Sequence, residues 1–484
     1  MIALLIGASF FLFLLSTPSI PGGDDSYRHL KMASRLATEP SAVFRDPWLL
    51  PYAWPKPVDA WFGYHVLLAP FTVFLPIIVA TKVFTSLLFA GLVYVSILLL
   101  RQLDVEYPIL WAMLVVAGSG TALYRATLSR PFLLCNLLVL LALLFTLRGK
   151  PVAVGLISAV HAASYSIFVF VGLAPAMAFL LSRNRRSARS LLASGAGMAA
   201  GLLFNPYFPE NVRFDIVCMA LVGIARKAHV QLGLELEPIT PWWFAASAPV
   251  MVVWVLGIFR FVKRRPPLQW EALRSEAWLL FALSLVTLGA SIQVSRTMDL
   301  FVPMAVLFAA VVLSPWVRAH RRDFLCLMGV LLLVCGGNAV LTYFNLRQAV
   351  PHERFLGISR YLSANAPGEL VANAQWDEYP FLYFWNARNR YVIGIDPTLL
   401  YLSDPRKYWF WRHIAEDETG TCDHERCAPS ESGSIAQAVQ DGLHARYILT
   451  EHFRNPRVEA VLAADNRVRE VYRDAECSLF AIQD

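Results

Sequence analysis

Apolar runs recur along this chain, and most of them end in a knot of lysine or arginine; no other feature constrains the fold as strongly. The runs fall at about 1–20, 62–77, 78–100, 108–123, 132–147, 151–166, 167–182, 190–205, 242–262, 275–293, 301–316 and 324–344. A helix needs about 20 mostly apolar residues to cross roughly 30 Å of hydrocarbon. Of the 484 residues, 57% are hydrophobic and 16% charged. Soluble domains carry about 25% charged residues, so lipid is the main solvent. The formal net charge of +7 sits in short turns between apolar runs, where it reports topology and not nucleic-acid binding.

The basic clusters fix an expected orientation. Arg101, the Arg148/Lys150 pair, the RNRRSAR run (183–189), the KRR run (263–265) and the RAHRR run (318–322) all fall on one side if 62–77 is interfacial or re-entrant. The positive-inside rule then places the N-terminus in the cytoplasm and the C-terminus outside. Residues 1–20 lack a basic leader and an A-x-A cleavage pattern, so they read as a membrane helix. The expected fold is a polytopic α-helical membrane protein of about eleven transmembrane helices over residues 1–344. Long outer loops are expected at 21–77 and 205–241. An extramembrane α/β domain follows over 345–484, with strand candidates at 369–373, 390–394, 445–450 and 477–482 and helices around 353–364, 404–416 and 433–442.

Seven cysteines are scattered through the chain. Cys135, Cys326 and Cys335 lie in apolar runs and read as small core residues. Cys422 and Cys427 bracket CDHERC, a spacing suited to a local disulfide in an oxidising compartment; the rival is a zinc site with His424 and Cys477. Most spans lack ionisable residues, whereas pumps and ion-coupled transporters hide them at mid-membrane. Ionisable groups gather instead in the outer loops. His161, near the outer end of a predicted span, reads as a hydrogen-bonded structural group.

In the first outer loop, Asp24 and Asp25 follow a Gly-Gly turn where the first span ends. An amphipathic helix begins at Ser26 with one of these carboxylates as its cap. The stretch Asp25-Ser26-Tyr27-Arg28-His29, then Arg45-Asp46-Pro47, then Gly63-Tyr64-His65 with Pro70, resembles the first loop of the GT-C glycosyltransferase superfamily, most of all its oligosaccharyltransferase branch. The resemblance covers roughly the first 150 residues. It implies a polyprenyl-phosphate-linked sugar as donor, the lipid bilayer as environment, and a glycan, lipid or protein acceptor on the outer face. It also implies that Asp25, with Asp24 as fallback, deprotonates the acceptor or holds a divalent metal, Mg²⁺ or Mn²⁺, near the leaving phosphate. His29 and His65 become substrate-binding candidates on the same ground.

The second outer loop, 124–131, carries Arg125 and Arg130 but no carboxylate, a departure from the branch's metal-binding pattern that leaves metal-independent catalysis open. Two arginines at the boundary suit a phosphate through bidentate hydrogen bonds; their bland role is snorkelling to headgroups. Arg296 in SRTMDLFVP is a further phosphate candidate, or pairs with Asp299 at a helix end. Glu235 and Glu237 in GLELEPITPWW are candidates for a second carboxylate, or solvated loop charges. The sequence therefore points to an inner-membrane glycosyltransferase with a periplasmic active site. The alternatives are a lipid-linked glycan flippase and a non-catalytic envelope scaffold.

Overall fold

The computed structural model describes all residues except 18, 21–24, 264–270, 429, 431 and 484, and no side chains over 271–274. Asp24, Arg264 and Arg265, named above, therefore lie outside the described residues. The chain divides into two compact units. One comprises Met1–Pro21, Ala60–Asp215 and Leu234–Ala349; the other comprises Gly22–Asp59, Ile216–Gly233 and Val350–Asp484. The compact division therefore does not follow a single boundary near residue 345, because 22–59 and 216–233 group with the C-terminal residues.

Among its described residues, the regular structure of the first unit is all helix. Each apolar run forms helix, and among the described residues five helices are long and apolar enough to cross a membrane: Ile77–Gln102, Pro131–Arg148, Ser275–Gln293, Ser295–Ala319 and Arg321–Arg347. A sixth arises if Pro108–Ala117 and Gly120–Thr127, bent by 76° at their junction, form one span. Ile2–Leu15, Phe62–Phe74, Pro151–Ser164 and Phe168–Ser182 are apolar but shorter. Helix length and composition thus support five or six crossings. Pro151–Ser164 packs against Arg185–Leu203 through small residues. A Cβ on Gly197 would stand 2.0 Å from the Gly155 carbonyl oxygen, and one on Gly201 2.2 Å from that of Ala159. The Ser158 and Ser194 hydroxyls, 2.9 Å apart, join the same pair. Small residues that let backbones touch are the usual glue between helices in lipid, where no hydrophobic force draws them together. Cys135 and Cys335 are buried as expected, whereas Cys326 is exposed, on a helix that turns much of its apolar surface outward. His161 is buried with Nε2 3.0 Å from Cys135 Sγ.

The second unit is α/β, as the strand pattern predicts. Among the described residues, five strands run in the order β2-β1-β3-β5-β4: β1 Leu370–Asn373, β2 Arg390–Tyr391, β3 Tyr447–Glu451, β4 Val468–Arg473 and β5 Cys477–Ile482. β1 is parallel to β2 and β3, with Ala372 opposite Ile448. β5 is antiparallel to β3 and β4, with Leu449 opposite Leu479. The amphipathic helix expected in the first loop forms as Asp25–Thr38 and buries Tyr27, Leu30 and Met32. Tyr27 packs its ring against Phe381 and Phe384, while Arg35 donates to the Tyr383 hydroxyl at 2.7 Å. The Tyr383 and Tyr379 hydroxyls donate to the backbone carbonyls of Pro47 and Trp48. This explains the aromatic run YPFLYFW: its phenols bury their rings and spend their polar tips on the loop backbone.

Cys422 and Cys427 form the expected disulfide. Cys477 lies instead on β5 opposite Glu451, with its Sγ 3.5 Å from Asp474, so the alternative zinc set with His424 and Cys477 is not assembled.

Between β1 and the helix Tyr379–Trp385, Glu378 is fully buried, and its Oε2 accepts from the Gln375 N–H at 3.1 Å. Burial, then the Glu451 carboxylate, push its carboxyl well above the ordinary 4.5, outweighing Gln375 and Arg454. A raised folded value means that the folded chain keeps a proton that the unfolded chain has lost. The stabilisation is therefore complete below the ordinary value and lost as pH rises through the folded one. Unfolding free energy should fall as pH rises from about 4.5, with a limiting slope of about 1.4 kcal/mol per pH unit. Glu378→Gln should flatten that slope in denaturant titrations followed by tryptophan fluorescence.

Candidate active site

The bend between Pro108–Ala117 and Gly120–Thr127 comes from Gly118-Ser119-Gly120. A Cβ on Gly118 would lie 2.4 Å from the Leu114 carbonyl oxygen, and one on Gly120 3.0 Å from Asn338. Ser119 caps the second arm through the Ala122 N–H and meets the Ser247 hydroxyl at 2.8 Å. That short arm carries Arg125 in its last turn. Arg130 stands immediately before Pro131–Arg148, with Pro131 in the first-turn position that tolerates it. Arg296 sits in the 3₁₀ turn Ser295–Thr297, and Asp299 opens the helix Met298–Ala319 that follows. Glu235 lies in the turn Leu234–Leu236. The Ser295 N–H donates to the Glu237 carbonyl at 2.9 Å and its hydroxyl to the Glu235 carbonyl at 3.1 Å, tying the two turns together.

These elements bring three guanidinium groups onto one carboxylate. Arg125 Nη1 lies 2.5 Å from Glu235 Oε2, Arg130 Nη1 3.3 Å from the same oxygen, and Arg296 Nη1 3.7 Å from Oε1. Arg125 also donates through Nε to Asp299 Oδ2 at 2.7 Å and rests 4.3 Å above the Phe132 ring. The cluster holds one more guanidinium than carboxylates. Burial alone would raise the Glu235 carboxyl, but Arg125, then Arg130 and Arg296, hold it well below the usual carboxylate range. The exposure is graded: the side chains of Arg125 and Asp299 are 6% exposed, Arg130 11%, Arg296 21% and Glu235 30%. Arg125 is thus the foundation of the cluster, and Arg130 and Arg296 are its accessible face. Asp299 also lines an apolar cavity with Phe89, Phe132 and Val302, where Asn136 is the other polar residue with an amide or acid group.

The structure therefore brings together Arg125, Arg130, Glu235 and Arg296. Glu235 is not a solvated loop charge, and Asp299 serves Arg125, not Arg296 as the i,i+3 spacing suggests. Asp299 is the member that spacing missed, because its partner is 174 residues away. Glu237 contributes its backbone carbonyl. Asp25 opens the helix Asp25–Thr38, with Oδ1 3.1 Å from Arg28 Nε, and buried Arg28 reaches His29 Nε2 at 3.2 Å. His65 is fully buried on Phe62–Phe74, edge-on to Tyr64.

Among the described residues, Asp25 and the two carboxylates of the cluster do not offer the several free oxygen ligands that a hard divalent cation wants. Asp25 is paired with Arg28, and Glu235 and Asp299 are taken up by arginine.

A similar fold occurs in solved glycosyltransferases. The archaeal oligosaccharyltransferase AglB from Archaeoglobus fulgidus, bound to an inhibitory peptide and a dolichol-phosphate, matches with a TM-score of 0.62 at 13% identity, over 95% of this chain and 71% of that one. The fold is that of the GT-C glycosyltransferases. Arabinofuranosyltransferase AftD from Mycobacteria matches at 0.60 and 13% identity, over 100% of this chain and 40% of that much longer one. ArnT from Cupriavidus metallidurans, bound to undecaprenyl phosphate, matches at 0.57 and 12% identity, over 99% and 96%. No family model matches the chain, and no curated protein matches it in sequence. The likeness is one of GT-C structure, in a chain whose apolar helices are those of a membrane protein.

Proposed function

We propose that this protein is a membrane glycosyltransferase that moves a sugar or glycan from a polyprenyl-phosphate or polyprenyl-diphosphate carrier to an acceptor on the periplasmic face of the bacterial inner membrane. The observation that carries this reading is the cluster of Arg125, Arg130 and Arg296 around Glu235 on a GT-C fold. Guanidinium groups bind phosphate oxygens in pairs, and partly buried ones do so more strongly. The donor phosphate engages Arg130 and Arg296 in competition with Glu235, while Arg125 stays locked to Asp299. Asp25 takes the proton of the acceptor O–H or N–H. The new bond forms at the anomeric carbon as its bond to the phosphate oxygen breaks, and the arginines hold the negative charge that leaves with the carrier. The AglB and ArnT structures hold dolichol-phosphate and undecaprenyl phosphate, which supports the carrier class. The basic clusters support the periplasmic side.

The test is glycan and lipid profiling of a deletion strain complemented with wild-type, Arg130→Gln or Arg296→Gln protein at matched membrane levels. A transferase predicts loss of one envelope glycan in the deletion, with build-up of its lipid-linked donor. Each glutamine variant should weaken binding of the lipid phosphate by about 10- to 100-fold, the worth of a charge-assisted hydrogen bond. Normal glycans in the deletion, or unchanged lipid-phosphate binding by both variants, would remove the proposal. Accumulation of the donor on the cytoplasmic leaflet only would turn it into a flippase.

A further inference from the structure

The disulfide of the second unit has an unusual neighbour. His413, in the last turn of the helix Pro405–Ala415, is buried, and its Nε2 lies 3.7 Å from Cys422 Sγ and 3.5 Å from Cys427 Sγ. Around a tetrahedral zinc with bonds of about 2.0–2.1 Å to nitrogen and about 2.3 Å to sulfur, an N and an S ligand stand about 3.6 Å apart, and two S ligands about 3.8 Å. The imidazole thus already holds the ligand spacing to both sulfurs, and only the two sulfurs need to separate.

Two further features suit a metal. His413 Nδ1 lies 2.8 Å from the Glu418 carboxylate, the carboxylate–histidine pairing that orients zinc-bound imidazoles and raises their basicity. The cysteine loop does not rely on its disulfide for closure: Thr421 and Gly433 exchange backbone hydrogen bonds at 3.2 and 2.9 Å, and the Thr421 hydroxyl reaches the Phe410 carbonyl. Reduction therefore leaves Cys422 anchored beside His413.

We propose that His413, Cys422 and Cys427 form a zinc site that opens when the disulfide is reduced and closes when it is oxidised. A dithiol reductant supplies two electrons and two protons, becoming a disulfide as Cys422 and Cys427 become thiols. Zinc then displaces both thiol protons to water and takes the Nε2 face of the imidazole, which lies 2.9 Å from the His424 carbonyl in the oxidised form. Nδ1–H stays on Glu418, and water takes the fourth position. Oxidation reverses the step and expels the metal, because the disulfide leaves no thiolate to bind it. The site is independent of the glycosyl-transfer reading.

The experiment uses the full chain, purified in detergent, reduced without oxygen by a phosphine, which becomes its oxide with the oxygen of water and is removed before metal is added. Cobalt(II) is titrated as probe and then displaced by zinc. One equivalent of cobalt should give thiolate charge-transfer absorption and the strong visible bands of tetrahedral cobalt, and the oxidised protein should give neither. Glu418→Gln should weaken zinc binding about 10- to 100-fold, and His413→Gln at least as much. A reduced wild-type protein without the thiolate–cobalt spectrum overturns the site whatever the variants do. So does a Cys422→Ser/Cys427→Ser protein that keeps the spectrum, or unchanged zinc affinity in His413→Gln.

Discussion

Arg125→Met should cost about 3–5 kcal/mol of stability and abolish transfer, the largest effect expected of any single substitution in this chain. Breaking a buried ion pair on one side strands the other charge in a medium that cannot solvate it. Arg125 is the hinge of two such pairs, with Asp299 at 2.7 Å and Glu235 at 2.5 Å. Glu235 keeps Arg130 and Arg296 after the change, but Asp299 loses the one ion-pair partner it has among the described residues. The penalty therefore falls mainly on Asp299, and a second substitution should lift it. Removing both members of a buried pair in favour of apolar groups is often neutral or stabilising. Arg125→Met/Asp299→Leu should recover most of the lost stability in a detergent unfolding titration while transfer stays absent. Activity returning together with stability would show that Arg130 and Arg296 hold the phosphate without the placement of Glu235 that Arg125 provides.

That double variant also marks the limit of what sequence pattern reveals. The helices were legible because lipid imposes one rule on every span, so each apolar run forms helix. The arginines were legible because charges at the ends of apolar runs are few and costly. Their arrangement was not. The link between Arg125 and Asp299 spans 174 residues, and no local period encodes it, whereas the i,i+3 spacing that suggests an Arg296–Asp299 pair is local and gave the wrong partner. β4 was missed for a related reason. VREVYR, at the sheet edge, buries none of its residues and carries charges, so it lacks the apolar alternation of β3 and β5. The packing of the first loop against Tyr379 and Tyr383 was hidden too, because tyrosine reads equally as core or as sugar-binding surface until its hydroxyl partner is known.

Asp25→Asn should lower the transfer rate by about 10²- to 10⁴-fold, the usual worth of a positioned general base. The carboxylate opens the helix Asp25–Thr38, where its charge is favoured by the helix dipole. It also holds Arg28 at 3.1 Å, so a purely structural role is the competing explanation. The two separate kinetically. A base acts only as the new bond forms, so Asp25→Asn should cut kcat and kcat/KM equally and leave lipid-phosphate binding unchanged. If the carboxylate only orders Arg28 and its helix, Asp25→Asn should lower stability and disturb binding as much as turnover, and Arg28→Gln should reproduce the whole phenotype. Asp25→Glu keeps the charge on a longer arm and should retain part of the rate. Asp24→Asn, measured beside them, tests the neighbouring carboxylate. If Asp24→Asn alone stops transfer, the base is Asp24. Full activity in both asparagine variants at matched membrane levels would leave acceptor deprotonation without a residue, and would shift the weight from a transferase to a flippase or an envelope scaffold.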